Sequence, residues 1–273
     1  MSELTSAATQ HSALGFKRQG LSLEGLLGCL ALALSWEALP RLGLLGVDYF
    51  PPLSAVLLEL WGMLGETELY EYMGSTLRTW GIGLCLASAL GIAAGLLIGL
   101  VPGLRAYTHS TIEFLRPIPS VSLIPGVILV FGSRYQSGVV LITYAAFWPV
   151  LLQVLYGLAD TDAVARDTAR SFRFSRWGYI RHVAWPTLLL FLWTGLRLAA
   201  ATALVLAVTA EMVIGTVGLG RGIMVAQSSN ATTHMYALIL VTGLLGVVIN
   251  LGARALERKA LHWHVSVRSE LAI

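Results

Sequence analysis

The sequence predicts an all-α membrane protein with six transmembrane helices. Three observations carry that expectation: 56% of the 273 residues are hydrophobic, only 12% are charged, and the mean hydropathy is +0.74. A soluble domain carries about 25% charged residues. A bilayer-spanning helix needs about 20 mostly apolar residues. Six segments meet that need: Leu21–Leu39, Thr76–Val101, Tyr107–Phe131, Gly138–Leu158, Pro186–Ile214 and Met235–Ala255.

Residues 1–20 are polar, with Lys17 and Arg18 just before the first apolar run. That run is longer than the apolar stretch of about 7–15 residues in a cleavable signal peptide, so it reads as a retained first helix. The segment from Pro40 to Tyr72 is acidic, with Asp48, Glu59, Glu66, Glu68 and Glu71 against Arg41. Within it, Leu53, Val56, Leu57, Leu60, Met63 and Leu64 recur at helical spacing, as in an amphipathic helix along the outer face or in an ordinary loop helix. The third span contains Pro117, Pro119 and Pro125 and is expected to kink or split. The fifth is longer than a crossing requires.

Orientation follows from the basic residues. With the N-terminus inside, the inner segments hold Lys17, Arg18, Arg105, Arg166, Arg170, Arg173, Arg176, Arg181, Arg254, Arg258, Lys259 and Arg268. The outer segments hold only Arg41, Arg134 and Arg221. This asymmetry places both termini in the cytoplasm. The net charge of +3 is too small to suggest a nucleic-acid partner.

Catalytic patterns are missing from the sequence. Neither Lys17 nor Lys259 stands in a G-x-x-x-x-G-K-[ST] phosphate loop, and no G-x-S-x-G elbow occurs. His262 and His264 flank Trp263 without a cysteine or carboxylate pair, which does not make a metal site. The chain is therefore not read as an enzyme, and it carries no cofactor or metal. No internal repeat is evident, which disfavours the rival reading of an ion-gradient-driven secondary transporter.

Ionisable residues inside apolar spans usually face a path or a protein interior. Glu113 and Arg116 lie one turn apart in the third span, close enough to neutralise each other, while Arg197 and Glu211 belong to the fifth. Arg197, Glu211 and Glu113 are the candidate path or gate residues. In the longest inner loop, Arg166, Arg170 and Arg173 form one helical stripe, with Val164, Thr168 and Phe172 on a less polar face. That pattern suits either anionic lipid or a protein partner.

The same loop resembles the cytoplasmic "EAA" loop of ATP-binding-cassette importer permeases. Asp167-Thr168-Ala169 stands for E-A-A, Arg173 for a glycine, Val183 for a β-branched residue and Trp185-Pro186 for Leu-Pro, with the spacing kept. LRPIPSVSLIP from Leu115, GLRLA from Gly195, AEM from Ala210, GLG from Gly218 and RALERKALHWH from Arg254 are similar to the nitrate/sulfonate/taurine importer permeases. The likeness runs from about Ser75 to His264.

It implies a type I importer permease fold, with a six-helix domain over 21–264, a cytoplasmic N-terminal segment over 1–20 and a tail over 265–273. It further implies a bacterial inner-membrane dimer, with itself or a paralogous permease. A cytoplasmic ATPase, which binds the ATP and magnesium, would dock on residues 160–183. Arg166, Asp167, Ala169, Arg170, Arg173, Val183 and Pro186 would be the coupling residues. An external binding protein would deliver a small anion, relatives carrying nitrate, sulfonates, taurine, bicarbonate, aromatic acids or pyrimidine precursors. Arginine at the usual glycine position is expected to make the loop bend differently, because glycine reaches conformations that arginine avoids.

Overall fold

The computed structural model describes residues 23–101, 103–160, 167–169 and 171–261. All regular structure among them is helical: α1 (Leu23–Arg41), α2 (Leu53–Met63), α3 (Thr67–Leu100), α4 (Leu104–Leu115), α5 (Ile124–Phe131), α6 (Tyr135–Ala159), α7 (Trp185–Ile214), α8 (Leu219–Ser228) and α9 (Thr232–Ala260). Among the described residues, α3, α6, Ile180–Ile214 and α9 are each long and apolar enough to cross a membrane. The predicted third span is two pieces, Leu104–Leu115 and Ser120–Phe131, bent by 82°. Counted as one broken span, the pair makes a fifth. The prolines explain the break, because Pro117 and Pro119 remove backbone donors and disfavour helix in the residue before each. The expected first span forms a 19-residue helix, α1, which is not among those long and apolar enough to cross, so the described residues give at most five of the six expected spans.

The centre of the fold is α3 against α6 and α6 against α7. On α3, Gly83, Ala87, Gly91 and Gly95 recur every fourth residue and are buried along one face. Lipid gives no hydrophobic drive between helices, so close backbone approach must supply van der Waals contact instead. The approach is close: a Cβ on Gly95 would lie 2.6 Å from Cγ1 of Val154, and one on Gly91 would lie 2.9 Å from Cβ of Val150. Trp80 donates from Nε1 to the Ala200 carbonyl at 2.9 Å, tying α3 to α7 as well.

α3 has 34 residues and is about 51 Å long at 1.5 Å per residue, well beyond the roughly 30 Å apolar thickness of a bilayer. It begins nine residues before the apolar run, at Thr67 rather than Thr76. Its polar start needs no lipid and stands beyond the apolar layer.

The amphipathic segment forms α2 as expected, but it rests on protein. Val56 and Met63 are buried in a cluster with Leu219, Ile223, Leu238 and Val241. Glu59 meets Nδ1 of His234, at the start of α9, at 2.9 Å. The opposite face, with Leu58 and Trp61, is exposed. α1 joins the same end through Glu37, which accepts from the Ser54 amide at 2.9 Å, and through the ring cluster of Trp36, Phe50 and Tyr236.

Candidate functional site

Three arrangements collect the functional candidates. The first is the turn after Asp167. Ser171 donates its hydroxyl to the Asp167 carbonyl at 3.0 Å, and the Phe174 amide donates to the Ala169 carbonyl at 2.9 Å. That second bond closes six residues at a helix end. It is the Schellman arrangement, whose penultimate residue must take a left-handed conformation. Here that residue is Arg173, with φ of +51°. The expectation that arginine avoids a glycine conformation at this position does not hold. Arginine adopts the conformation that glycine would take, because two backbone hydrogen bonds and the burial of Ala169 (5% exposed) hold the turn around it.

Phe172 and Phe174 stand exposed on this turn, Phe172 at 74%. Beyond it, a short turn (Arg176–Tyr179) and a wider π-type turn (Ile180–Ala184) run without a break into α7. Val183 and Pro186 lie in this continuation. The Val183 carbonyl accepts from the Thr187 hydroxyl at 3.1 Å, and Pro186, which has no amide to donate, follows the widened π-type turn. Arg166 and Arg170 lie outside the described residues, as do residues 1–20 and 265–273 and the His262 and His264 pair.

At the other end of α7, the Glu211 side chain is enclosed at 2% exposure. Its Oε2 accepts from the Thr76 hydroxyl at 2.9 Å and from the Gly220 amide at 3.0 Å, while Thr76 Oγ1 accepts from the Leu219 amide at 3.0 Å. The Glu211 side chain thus receives the first turn of α8, whose leading backbone amides have no partner within the helix. Ser75 adds a bond to the Val217 carbonyl at 2.6 Å. Gly218 and Gly220 make the fit: a Cβ on Gly218 would lie 2.2 Å from Cδ of Glu211, and one on Gly220 would lie 2.1 Å from the Val208 carbonyl. The sequence motifs AEM and GLG are two halves of one contact.

The third arrangement is a pair of cavities beside the break between α4 and α5. One, of about 450 Å³, has Arg116, Tyr144, Trp148, Gln153 and Thr202 in its wall. The other, of about 630 Å³, has Arg105, His109, Glu113, Arg116 and Tyr156. Glu113 does not pair with Arg116; among the described residues its carboxylate meets Nδ1 of His109 at 3.4 Å. On a helix ending at Leu115 the four-residue step back is the shorter reach. Arg197 lines neither cavity. Nη1 of Arg197 meets Oε2 of Glu257 on α9 at 3.4 Å, with the arginine side chain 39% exposed.

Residues 87–262 match the family described as "binding-protein-dependent transport system inner membrane component". The chain belongs to this family. It is 30% identical over 248 residues to the taurine transport system permease protein TauC of Escherichia coli (strain K12), covering 89% of this chain and 90% of that one. It is 28% identical over 252 residues to the putative aliphatic sulfonates transport permease protein SsuC of Bacillus subtilis (strain 168), covering 92% and 91%. The fold resembles a chain of the MetNI methionine ABC transporter solved in inward-facing conformations. That match has a TM-score of 0.61 at 18% identity, and covers 71% of this chain and 96% of the other. A chain of an amino acid ABC transporter gives 0.58 at 17%, covering 75% and 98%.

The permease is thus a multi-pass membrane subunit of an ABC importer, a transport component, with the type I importer permease fold. Family membership sets aside the secondary transporter. Of the residues singled out in the sequence, the structure gathers Glu113 with Arg116 at a cavity and gathers Asp167, Ala169 and Arg173 in one turn. It holds Arg197 and Glu211 in contacts between helices. Reading the sequence for charge missed Arg105 and His109 as cavity residues, although their spacing from Glu113 was visible.

The left-handed arginine gives the permease a testable local strain. Non-glycine residues in this conformation cost about 1–2 kcal/mol, so Arg173→Gly is expected to tighten the turn. Amide exchange at Phe174 should slow about fivefold for each kcal/mol gained. Faster exchange in the variant would mean that the arginine side chain, not the backbone, sets the turn.

Proposed function

We propose that this permease conducts a small anion of the sulfonate, nitrate or bicarbonate kind into the bacterial cytoplasm, as one half of a dimer. An ATPase bound to residues 160–183 supplies the drive and an external binding protein delivers the solute. The relatives named for taurine and aliphatic sulfonates support the solute class, and two curated relatives are named for nitrate and bicarbonate. The basic residues concentrated between Arg166 and Arg181 support placing that loop, and both termini, in the cytoplasm.

One observation carries the reading: the turn closed by Arg173 presents exposed phenylalanines and is joined through Phe174 and Ser175 to Arg176, from which helix runs unbroken to Ile214. From Ile180 to Ile214 that helix is about 52 Å long. A packed helix moves as a rigid body, so a push on the turn by a docked ATPase displaces Glu211 and, with it, α8. Loop and gate are then two ends of one lever. ATP and magnesium are held by the ATPase. Asp167, Ala169 and Arg173 shape the docking turn, Arg166 and Arg170 contribute charge to it, and Val183 and Pro186 link it to α7. Arg197 and Glu211 hold helices together.

The test is coupling. In lipid, with the partner ATPase and loaded binding protein, Phe172→Asp and Asp167→Ala are expected to abolish stimulated ATP hydrolysis or release the ATPase. An exposed aromatic at the centre of an interface commonly contributes 2 kcal/mol or more, about thirtyfold in affinity. Wild-type coupling in both variants, at equal permease abundance, would show that the ATPase docks elsewhere.

A further inference from the structure

Arg105, His109, Glu113 and Arg116 recur on α4 and its end at steps of four, four and three residues, which puts them on one helical face. That face borders the larger cavity, opposite Leu152 and Tyr156 of α6. Arg116 also borders the second cavity, so it stands where the two meet, at the break in the bent span. Neither Arg105 nor Arg116 has an ion pair or a side-chain hydrogen bond among the described residues. Trp148, which lines the cavity beside Arg116, has its indole N–H buried without an acceptor. A charged side chain within an apolar span is costly unless it faces water or a ligand, and such residues mark substrate paths. Breaks in spanning helices mark them too.

The geometry points to a two-step anion site on this face: an oxyanion rests first at Arg116 and then at Arg105 and His109, with Glu113 between the two positions. This deepens the import reading above and rests on it. Two arginines against one carboxylate make this face basic, which suits an oxyanion such as a sulfonate, nitrate or bicarbonate. Glu113 already engages His109 at 3.4 Å, so an anion reaching the inner position must displace a carboxylate. Conduction needs binding strong enough to admit the ion and weak enough to release it. Glu113 supplies the second half of that requirement.

The site can be probed in the full chain in lipid nanodiscs. Tyr156 lines the larger cavity and also borders the smaller one. Cysteine is placed there, with Cys29 and Cys85 changed to alanine. The rates of modification by the sulfonate-bearing and the trimethylammonium-bearing ethyl methanethiosulfonates are then compared. The anionic reagent is expected to react faster. Arg116→Gln should lower the anionic-to-cationic ratio about tenfold, since charge lining a cleft raises local counter-ion concentration by about that factor or more. Arg116→Lys should preserve the ratio, and Glu113→Gln should raise it. Methanesulfonate and nitrate should slow reaction with an uncharged maleimide only when residue 116 is basic. A ratio that ignores residues 113 and 116 would overturn the site.

These rates are read without ATPase, ATP or binding protein. A charge-dependent ratio together with failure of ATP-driven uptake would remove the import reading and leave the anion site. Intact uptake with a charge-independent ratio would remove the site alone.

Discussion

Alanine at Gly220 is expected to unseat α8 and to leave the permease poorly folded in the membrane. The added Cβ would lie 2.1 Å from the Val208 carbonyl and 2.8 Å from Cβ of Glu211, both parts of a rigid helix. Relief requires α8 to move away. The Gly220 amide then loses Oε2 of Glu211, and the Leu219 amide loses Thr76 Oγ1. Each buried polar group left unpaired costs about 1–3 kcal/mol. With Thr76, Glu211 and two amides affected, the loss is of the order of 3–6 kcal/mol, comparable to the whole stability of many domains. Gly243→Ala is the control, because a Cβ there meets nothing within 4 Å. Thermal unfolding of the two purified variants in detergent decides the matter. Equal midpoints would mean that the carboxylate contact does not hold α8 in place.

The second large effect is expected along the α3–α6 seam. Gly95→Leu must fit a side chain where Val154 leaves a Cβ only 2.6 Å, and valine, branched at Cβ, has little freedom to turn aside. Overpacking a tight contact costs about 1–3 kcal/mol, and more where the backbone cannot shift. The upper end applies here, because Gly83, Gly91 and Gly95 all hold the same approach. Gly81→Leu on the same helix faces open space, and leucine is the better helix former, glycine standing about 0.8–1 kcal/mol below alanine. The two substitutions should therefore move stability in opposite directions. Destabilisation of both by the same amount would show that the seam is not the reason for the glycines.

Much of this molecule was legible before any coordinates. Apolar runs of bilayer length give helices because a backbone in lipid must satisfy its own hydrogen bonds. Pro117, Pro119 and Pro125 foretell the broken span, since each removes a donor. The inner-loop pattern of Asp167, Arg173, Val183 and Pro186 was readable as a resemblance, because its spacing survives four changed residues.

Pairing of charges across elements was not legible. Glu113 was set against Arg116 by proximity in sequence, yet among the described residues its carboxylate meets His109. Arg197 reads as a lone cation in an apolar run until α9 brings Glu257 beside it from sixty residues away. Glu211 reads as a path carboxylate until Thr76, distant in sequence, and the glycines of α8 close around it.

The sequence by itself therefore determined that the chain is helical and membrane-spanning, where the third span must break and which loop gathers positive charge. Each of these depends on local composition and on the bilayer as solvent. The tertiary structure alone decided that Arg173 takes the left-handed turn, that Glu211 receives α8 and that Arg116 is left facing a cavity. Those outcomes depend on which distant groups arrive within 3–4 Å. Hydrogen bonds and ion pairs have that reach, and helical spacing reports neighbours on one element, not partners across the fold.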